Sequence, residues 1–163
     1  MKSKGKFDYP MSVNREALVS IIKTSSMLLR LSDRFFAPFE TSDIQFNILM
    51  ILKNSVQEGI SQQKLSEKLV VTKSNVVGLV DRMERQGLVE RKAHPTDRRF
   101  NQIVITQKGR ELVEKVEIHY YKEVDRMMAG LSESEKRAII EATAKVREYL
   151  KKCGEGVGDE SEK

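Results

Sequence analysis

The residues best suited to chemistry in this sequence are suited to binding rather than to bond making. Between Lys73 and Arg85, the residues Lys73, Ser74, Asn75, Gly78, Asp81, Arg82 and Arg85 lie opposite Val76, Leu79, Val80 and Met83. The latter follow the i, i+3, i+4, i+7 spacing of a buried helical stripe. Short hydrogen-bonding tips at a helix start, arginines further along and a glycine where the backbone must come close suit the reading of base edges. The same residues would also make an ordinary solvated face. A second cluster follows. Arg91, Lys92, Arg98 and Arg99 put four cations at or near the tip of a hairpin whose turn reads AHPTDRR. Positive charge on an exposed tip suits phosphates or a narrow minor groove. Asp97 beside them can orient an arginine through a charge-assisted hydrogen bond.

Bond-making chemistry has little material. His94 and His119 are the only histidines, and neither sits in a partner motif. His119 with Glu117 or Glu123 could in principle hold a metal, but a solvent-facing helix residue is the simpler reading. There is no phosphate-binding P-loop, dinucleotide turn or nucleophile elbow. No catalytic residue, metal or cofactor is therefore expected. The single cysteine, Cys153, cannot form an internal disulfide.

The elements that would carry the two clusters are legible from caps and punctuation. Ser61 caps a short helix with Leu65 and Leu69 inward, and Thr72 caps the helix just described. Gly87 stands where that helix should stop, in the left-handed position that suits glycine. Strands are expected over Leu88 to Lys92 and Phe100 to Ile105. A helix-turn-helix followed by a β-hairpin is the outline of a winged helix.

The flanks are helical. A long helix runs from about Val13 to Phe36, with Leu18, Ile21, Ile22, Ser25, Leu28, Leu29, Ser32, Phe35 and Phe36 on one stripe, and Pro38 ends it. Ser42 and Gln45 form a capping box for a helix to about Lys53, with Phe46, Leu49, Met50 and Leu52 inward. Asn54 to Ile60 reads as a loop. Thr106 caps a helix to about Met128. Ser132 and Glu135 form a second capping box and open a last helix carrying Ile139, Ile140, Thr143, Val146 and Leu150. From Cys153 the Gly-rich, acidic tail reads as disordered.

The stretch SQQKLSEKL, then VTKSNVVGLVDRMERQGLVER, then PTDRRFNQIVITQKG resembles the DNA-binding core of the MarR (multiple antibiotic resistance regulator) family of transcription factors. The family's wing signature is an aspartate, a variable residue and an arginine, followed by Leu-Thr-x-x-Gly. Here it corresponds to Asp97, Arg98, Arg99 and Ile105-Thr106-Gln107-Lys108-Gly109, with isoleucine for the usual leucine. The resemblance implies that Arg99 enters the minor groove with Asp97 orienting it. It also implies a dimer built from the first and last two helices. A small, often aromatic or phenolic, acid would bind between those helices and the DNA-binding lobe. By resemblance that crevice involves Met27, Arg30, Leu31 and Phe46, residues that could equally just pack or face solvent. Peroxide-sensing relatives carry a reactive cysteine near the first helix, a position this sequence does not match.

Charge supports the division. Residues 61–110 hold eleven Lys and Arg against five Asp and Glu, a net of +6, so the remainder carries −1 of the chain's +5. Positive charge concentrated in one segment is what a polyanion-binding surface needs. With 33% charged and 39% hydrophobic residues among 163, the chain reads as soluble and globular. No apolar run approaches a membrane span, and no secretory signal opens the sequence, which points to the cytoplasm.

The expected fold is mainly α with a small β-hairpin. Residues 1–36 form an N-terminal extension and dimerisation helix, 37–109 the winged helix-turn-helix, 110–152 C-terminal dimerisation helices and 153–163 the tail. The expected function is a homodimeric regulator, a repressor, on a pseudo-palindromic operator in double-stranded DNA. Thr72 places its helix end at phosphate, Ser74 and Asn75 read base edges, Lys73 and Arg82 contact phosphate or base, and Arg98 meets phosphate. A protein–protein winged helix and a sequence-indifferent architectural DNA binder are the alternatives.

Overall fold

The computed structural model describes residues 12–55, 59–69, 73–93 and 101–156, with the backbone alone for 73–75 and 154–156. Thr72 and residues 94–100, and so His94, Asp97, Arg98 and Arg99, lie outside the described residues. The elements are α1 (Val13–Phe36), a short 3-10 turn (Ala37–Phe39), α2 (Asp43–Lys53), β1 (Ile60–Ser61), α3 (Gln62–Lys68), α4 (Lys73–Arg85), β2 (Val89–Ala93), β3 (Asn101–Ile105), α5 (Gln107–Met128) and α6 (Glu133–Gly156). Two compact units divide the chain at residue 116, within α5.

In the first unit the core gathers Phe36, Phe46, Ile48, Leu49, Leu65, Val76, Val80, Met83, Val89, Ile103, Val113 and Val116, all nearly inaccessible to solvent. Phe36 and Phe46 stack with ring centroids 5.3 Å apart, which ties the end of α1 to α2. The inward set of α2 includes Gln45 and Ile48, which the expected stripe left out, while Met50 is only half-buried. The Ser42 hydroxyl accepts the Gln45 amide as expected of a cap. The Gln45 side chain also stays at the cap, its Oε1 accepting from the Ser42 and Thr41 hydroxyls at 3.4 Å, while its Nε2 donates to Gln86 Oε1 at 2.9 Å, just beyond the end of α4.

The sheet has three strands in the order β1-β3-β2, all antiparallel. The segment expected to be a loop up to Ile60 therefore ends in a strand, with Ile60 opposite Ile103 and Ser61 opposite Gln102. Ser61 also caps α3, its hydroxyl accepting the Lys64 amide. In the hairpin Val89 faces Ile105 and Arg91 faces Ile103.

In the second unit the later turns of α5 lead to α6, which opens on a complete capping box. The Ser132 amide donates to Glu135 Oε2 at 2.8 Å and the Glu135 amide donates to Ser132 Oγ at 3.4 Å. α6 continues to Gly156, so Cys153 lies exposed in a helix rather than at the head of a disordered tail. Ile139, Ile140, Val146, Tyr149 and Leu150 are exposed on α6, as are Leu18, Ile22 and Leu29 on α1.

Candidate nucleic-acid interface

α4 is mounted by its apolar stripe. Val76, Val80 and Met83 are fully buried and Leu79 is half-buried, so the opposite side of the helix is left outward. On that side Gly78, Asp81, Arg82 and Arg85 are exposed. The Arg82 side chain makes no hydrogen bond or ion pair with any described residue, so its guanidinium is available to an anion. Lys73, Ser74 and Asn75 occupy the first turn of α4. Val77 was assigned to neither face in the sequence. It is 44% exposed, an apolar group among polar ones, and such a side chain can meet a thymine methyl in a major groove.

The end of α4 is closed by a Schellman motif. The Leu88 amide donates to the Met83 carbonyl and the Gly87 amide to the Glu84 carbonyl, both at 2.9 Å. Gly87 has φ +72°, the left-handed conformation expected of it. Two residues of α5's first turn and its cap fasten this corner further. Lys108 Nζ donates to the Gln86 carbonyl at 2.8 Å, and the Thr106 hydroxyl donates to the Gly87 carbonyl at 2.7 Å. Thr106 also caps α5 by accepting the Gly109 amide.

The cations expected at the wing tip divide. Arg91 is not at the tip. Its guanidinium donates to Glu84 and, at 2.5 Å, to Asp81 Oδ1, while its amide donates to Glu84 Oε1 at 3.0 Å. Partial burial works against the charged form of Arg91, but the two carboxylates outweigh it and raise its pKa above the ordinary arginine value. Lys92 pairs with Glu90 at 2.7 Å, both well exposed. The remaining pair, Arg98 and Arg99, belongs to the segment outside the described residues, as does Asp97. The Arg91 contacts were missed because its partners lie on a different element. A signal was present: carboxylates seven and ten residues before an arginine, flanking a tight glycine turn.

The residues expected at an effector crevice do not share one surface. Met27, Arg30 and Leu31 are exposed on α1, whereas Phe46 is closed into the core beside Phe36. On α5, His119 is exposed, and Glu123 accepts both arms of Arg126 at 3.0 and 2.5 Å. Among the described residues no group of three or more His, Cys, Asp or Glu is placed to hold a metal ion.

Comparison with known proteins gives this arrangement relatives. The MarR family profile matches residues 42–100. The HTH-type transcriptional repressor YetL of Bacillus subtilis is 27% identical over 135 residues, covering 83% of this chain and 81% of the relative. The HTH-type transcriptional regulator MhqR of the same organism is 30% identical over 102 residues, covering 63% of this chain and 69% of the relative. Among solved structures, Sco3205 of Streptomyces coelicolor, a MarR family transcriptional regulator in complex with DNA, superposes with a TM-score of 0.79. It is 21% identical and the match covers 88% of this chain and 92% of that one, so this likeness concerns the fold.

Proposed function

The chain belongs to the MarR family of transcription regulators, and from that premise we propose that it is a homodimeric, sequence-specific DNA-binding repressor. The observation that carries this reading is the mounting of α4. Its apolar stripe is sealed in the core, its polar face with unpaired Arg82 is outward, and a two-stranded wing leaves directly from its end. A helix so placed can enter the major groove while the hairpin follows the backbone. In this reading Ser74 and Asn75 contact base edges, and Lys73 and Arg82 contact phosphate or base. Thr72 brings the helix end to phosphate, Arg98 meets phosphate, and Arg99, aimed by Asp97, enters the minor groove.

The homodimer is supported by apolar faces that a single chain leaves bare. Leu18 and Ile22 on α1 are each 54% exposed, and Ile140 and Leu150 on α6 are 64% and 62% exposed. Apolar exposure of this kind on each helix marks a protein contact, and a symmetric partner covers it while doubling the DNA contacts. The operator is then a pseudo-palindrome with half-sites roughly 34–36 Å apart. A small aromatic or phenolic acid acting as effector would meet Met27, Arg30 and Leu31 on α1. No helix among the described residues is long and apolar enough to cross a membrane. We read the protein as a non-enzymatic regulator of the cytoplasm.

The test begins with selection of bound duplexes from random DNA, followed by titration of variants on the selected operator and on random duplex at two salt concentrations. Asn75→Ala should cost about 1–3 kcal/mol on the operator and little on random DNA. Arg99→Ala should weaken both, with a shallower salt dependence because fewer counterions are released. Asp97→Asn should behave as a mild Arg99→Ala. Failure to enrich any sequence would overturn specific recognition, and a monomer in sedimentation at micromolar concentration would overturn the dimer.

A further inference from the structure

β2 is an edge strand: β3 pairs with it on one side and β1 lies beyond β3. Edge strands present outward amides that the sheet does not satisfy. At Arg91 that need is met by α4, since its amide donates to Glu84 Oε1 at 3.0 Å. Its guanidinium reaches the other oxygen of the same carboxylate, and a second arm reaches Asp81 Oδ1 at 2.5 Å. Three donors of one strand residue thus converge on two carboxylates a turn apart on one helix. The Arg91 side chain is only 22% exposed.

Between the last residue of α4 and the first of β2 there are only Gln86, Gly87 and Leu88. That corner, together with Val89 and Ile103 buried in the core beside Val80 and Met83, holds the base of the hairpin to the helix. Arg91 adds a polar attachment beyond that base, and it reaches back along the helix past the Schellman turn to Asp81.

We propose that Arg91, Glu84 and Asp81 are positioning residues for DNA recognition: they set the angle between helix and wing so that groove and backbone contacts fall in one register. The proposal rests on the DNA-binding reading above. It removes Arg91 from the candidate phosphate contacts, because donating to DNA would strip both carboxylates of their partner. It also gives the two acids an effect opposite to their charge. Electrostatics alone says that neutralising an acid on a DNA-facing helix tightens binding to every duplex. Positioning says that the operator loses affinity relative to random DNA.

The experiment uses the full chain, the selected operator and a random duplex at two salt concentrations. Arg91→Lys keeps the charge but loses the planar two-armed fork. It should lower the operator-to-random affinity ratio by roughly tenfold, the scale of a mismatched base pair, with the salt slope unchanged. Asp81→Asn, on a half-exposed carboxylate, should lower the ratio without weakening random binding. The double variant should be little worse than the worse single one, because both remove the same contact. Glu84→Gln, which keeps one acceptor oxygen and turns the other into an N–H donor facing Arg91, serves should Arg91→Lys melt early, and it should lower the operator-to-random ratio in the same direction. An Arg91→Lys protein that discriminates as wild type does overturns the proposal. So does an equal loss on both duplexes with a shallower slope, which would make Arg91 a phosphate contact, or tighter binding of Asp81→Asn to both. A wild type that does not itself prefer the operator overturns the DNA reading and this inference together. That outcome is distinct from a discriminating wild type with indifferent variants.

Discussion

The hydroxyl of Thr106 donates to the carbonyl of Gly87 at 2.7 Å, joining the start of α5 to the corner that ends α4. The same oxygen accepts the Gly109 amide at 3.1 Å, and the Thr106 amide donates to the Leu88 carbonyl at 3.1 Å. One residue therefore caps α5 and satisfies carbonyls left over by the turn. Thr106→Val keeps the shape and removes the hydroxyl. It should cost about 1–2 kcal/mol, the scale of a lost cap, while Thr106→Ser should retain most of the stability. Chemical denaturation compares the three, and a valine variant as stable as wild type would mean the two hydroxyl bonds contribute nothing net.

Two glycines beside Thr106 are required for different reasons. Gly87, at φ +72°, has room for a methyl group, since a Cβ there would come no nearer than 3.9 Å to the Lys108 side chain. Gly87→Ala should therefore cost only the left-handed strain, about 1–2 kcal/mol. At Gly109 a Cβ would stand 2.2 Å from the Leu88 carbonyl oxygen and 2.9 Å from Ile105 Cγ1. Backbone cannot yield as a flexible side chain can, so Gly109→Ala should cost about 3 kcal/mol or more. Thermal melts of the pair should rank Gly109→Ala below Gly87→Ala, and the reverse order would contradict the packing described.

These particulars separate what local sequence reveals from what it hides. The bounds of α1, the caps at Ser61, Thr106 and Ser132, and the turn at Gly87 were legible because each depends on neighbours within a few residues. The pairing of Ser42 with Gln45 was legible too, but the further bond from Gln45 Nε2 to Gln86, 41 residues away, was not. β1 is two residues long, too short to show alternation, and exists only because Ile60 meets Ile103. Arg91 looked like a tip cation because its two acids lie on a packed helix rather than in its own hairpin. α6 runs through the tail's first glycines because extending an existing helix adds a hydrogen bond per residue without a new nucleus.

The capping box of α6 carries a pH dependence of definite sign. The Ser132 hydroxyl and amide both donate to Glu135, and these bonds hold its carboxyl below the ordinary value of 4.5. A depressed carboxylate contributes stability that is present above the unfolded pKa and lost as pH falls through the folded one. The first turn of α6 should thus lose its cap at a lower pH than that at which an ordinary glutamate titrates. An NMR titration should show the Ser132 amide shift following Glu135 at that depressed midpoint and losing the inflection in Glu135→Gln. A midpoint at or above 4.5 would sink the reciprocal cap.

Gly78 separates stability from recognition on α4. It lies exposed in the middle of the helix, and a Cβ built there meets no atom within 4 Å. Glycine inside a helix is less favourable than alanine, so Gly78→Ala should raise stability by about 0.5–1 kcal/mol. If this face enters a DNA groove, the same methyl group stands where the helix backbone approaches the bases. Operator affinity should then fall although the protein melts later, a combination that a merely solvated face would not produce. Paired measurements of melting temperature and operator affinity decide it. A later melt with unchanged affinity would move the contact surface away from Gly78, and an earlier melt would contradict the open space above it.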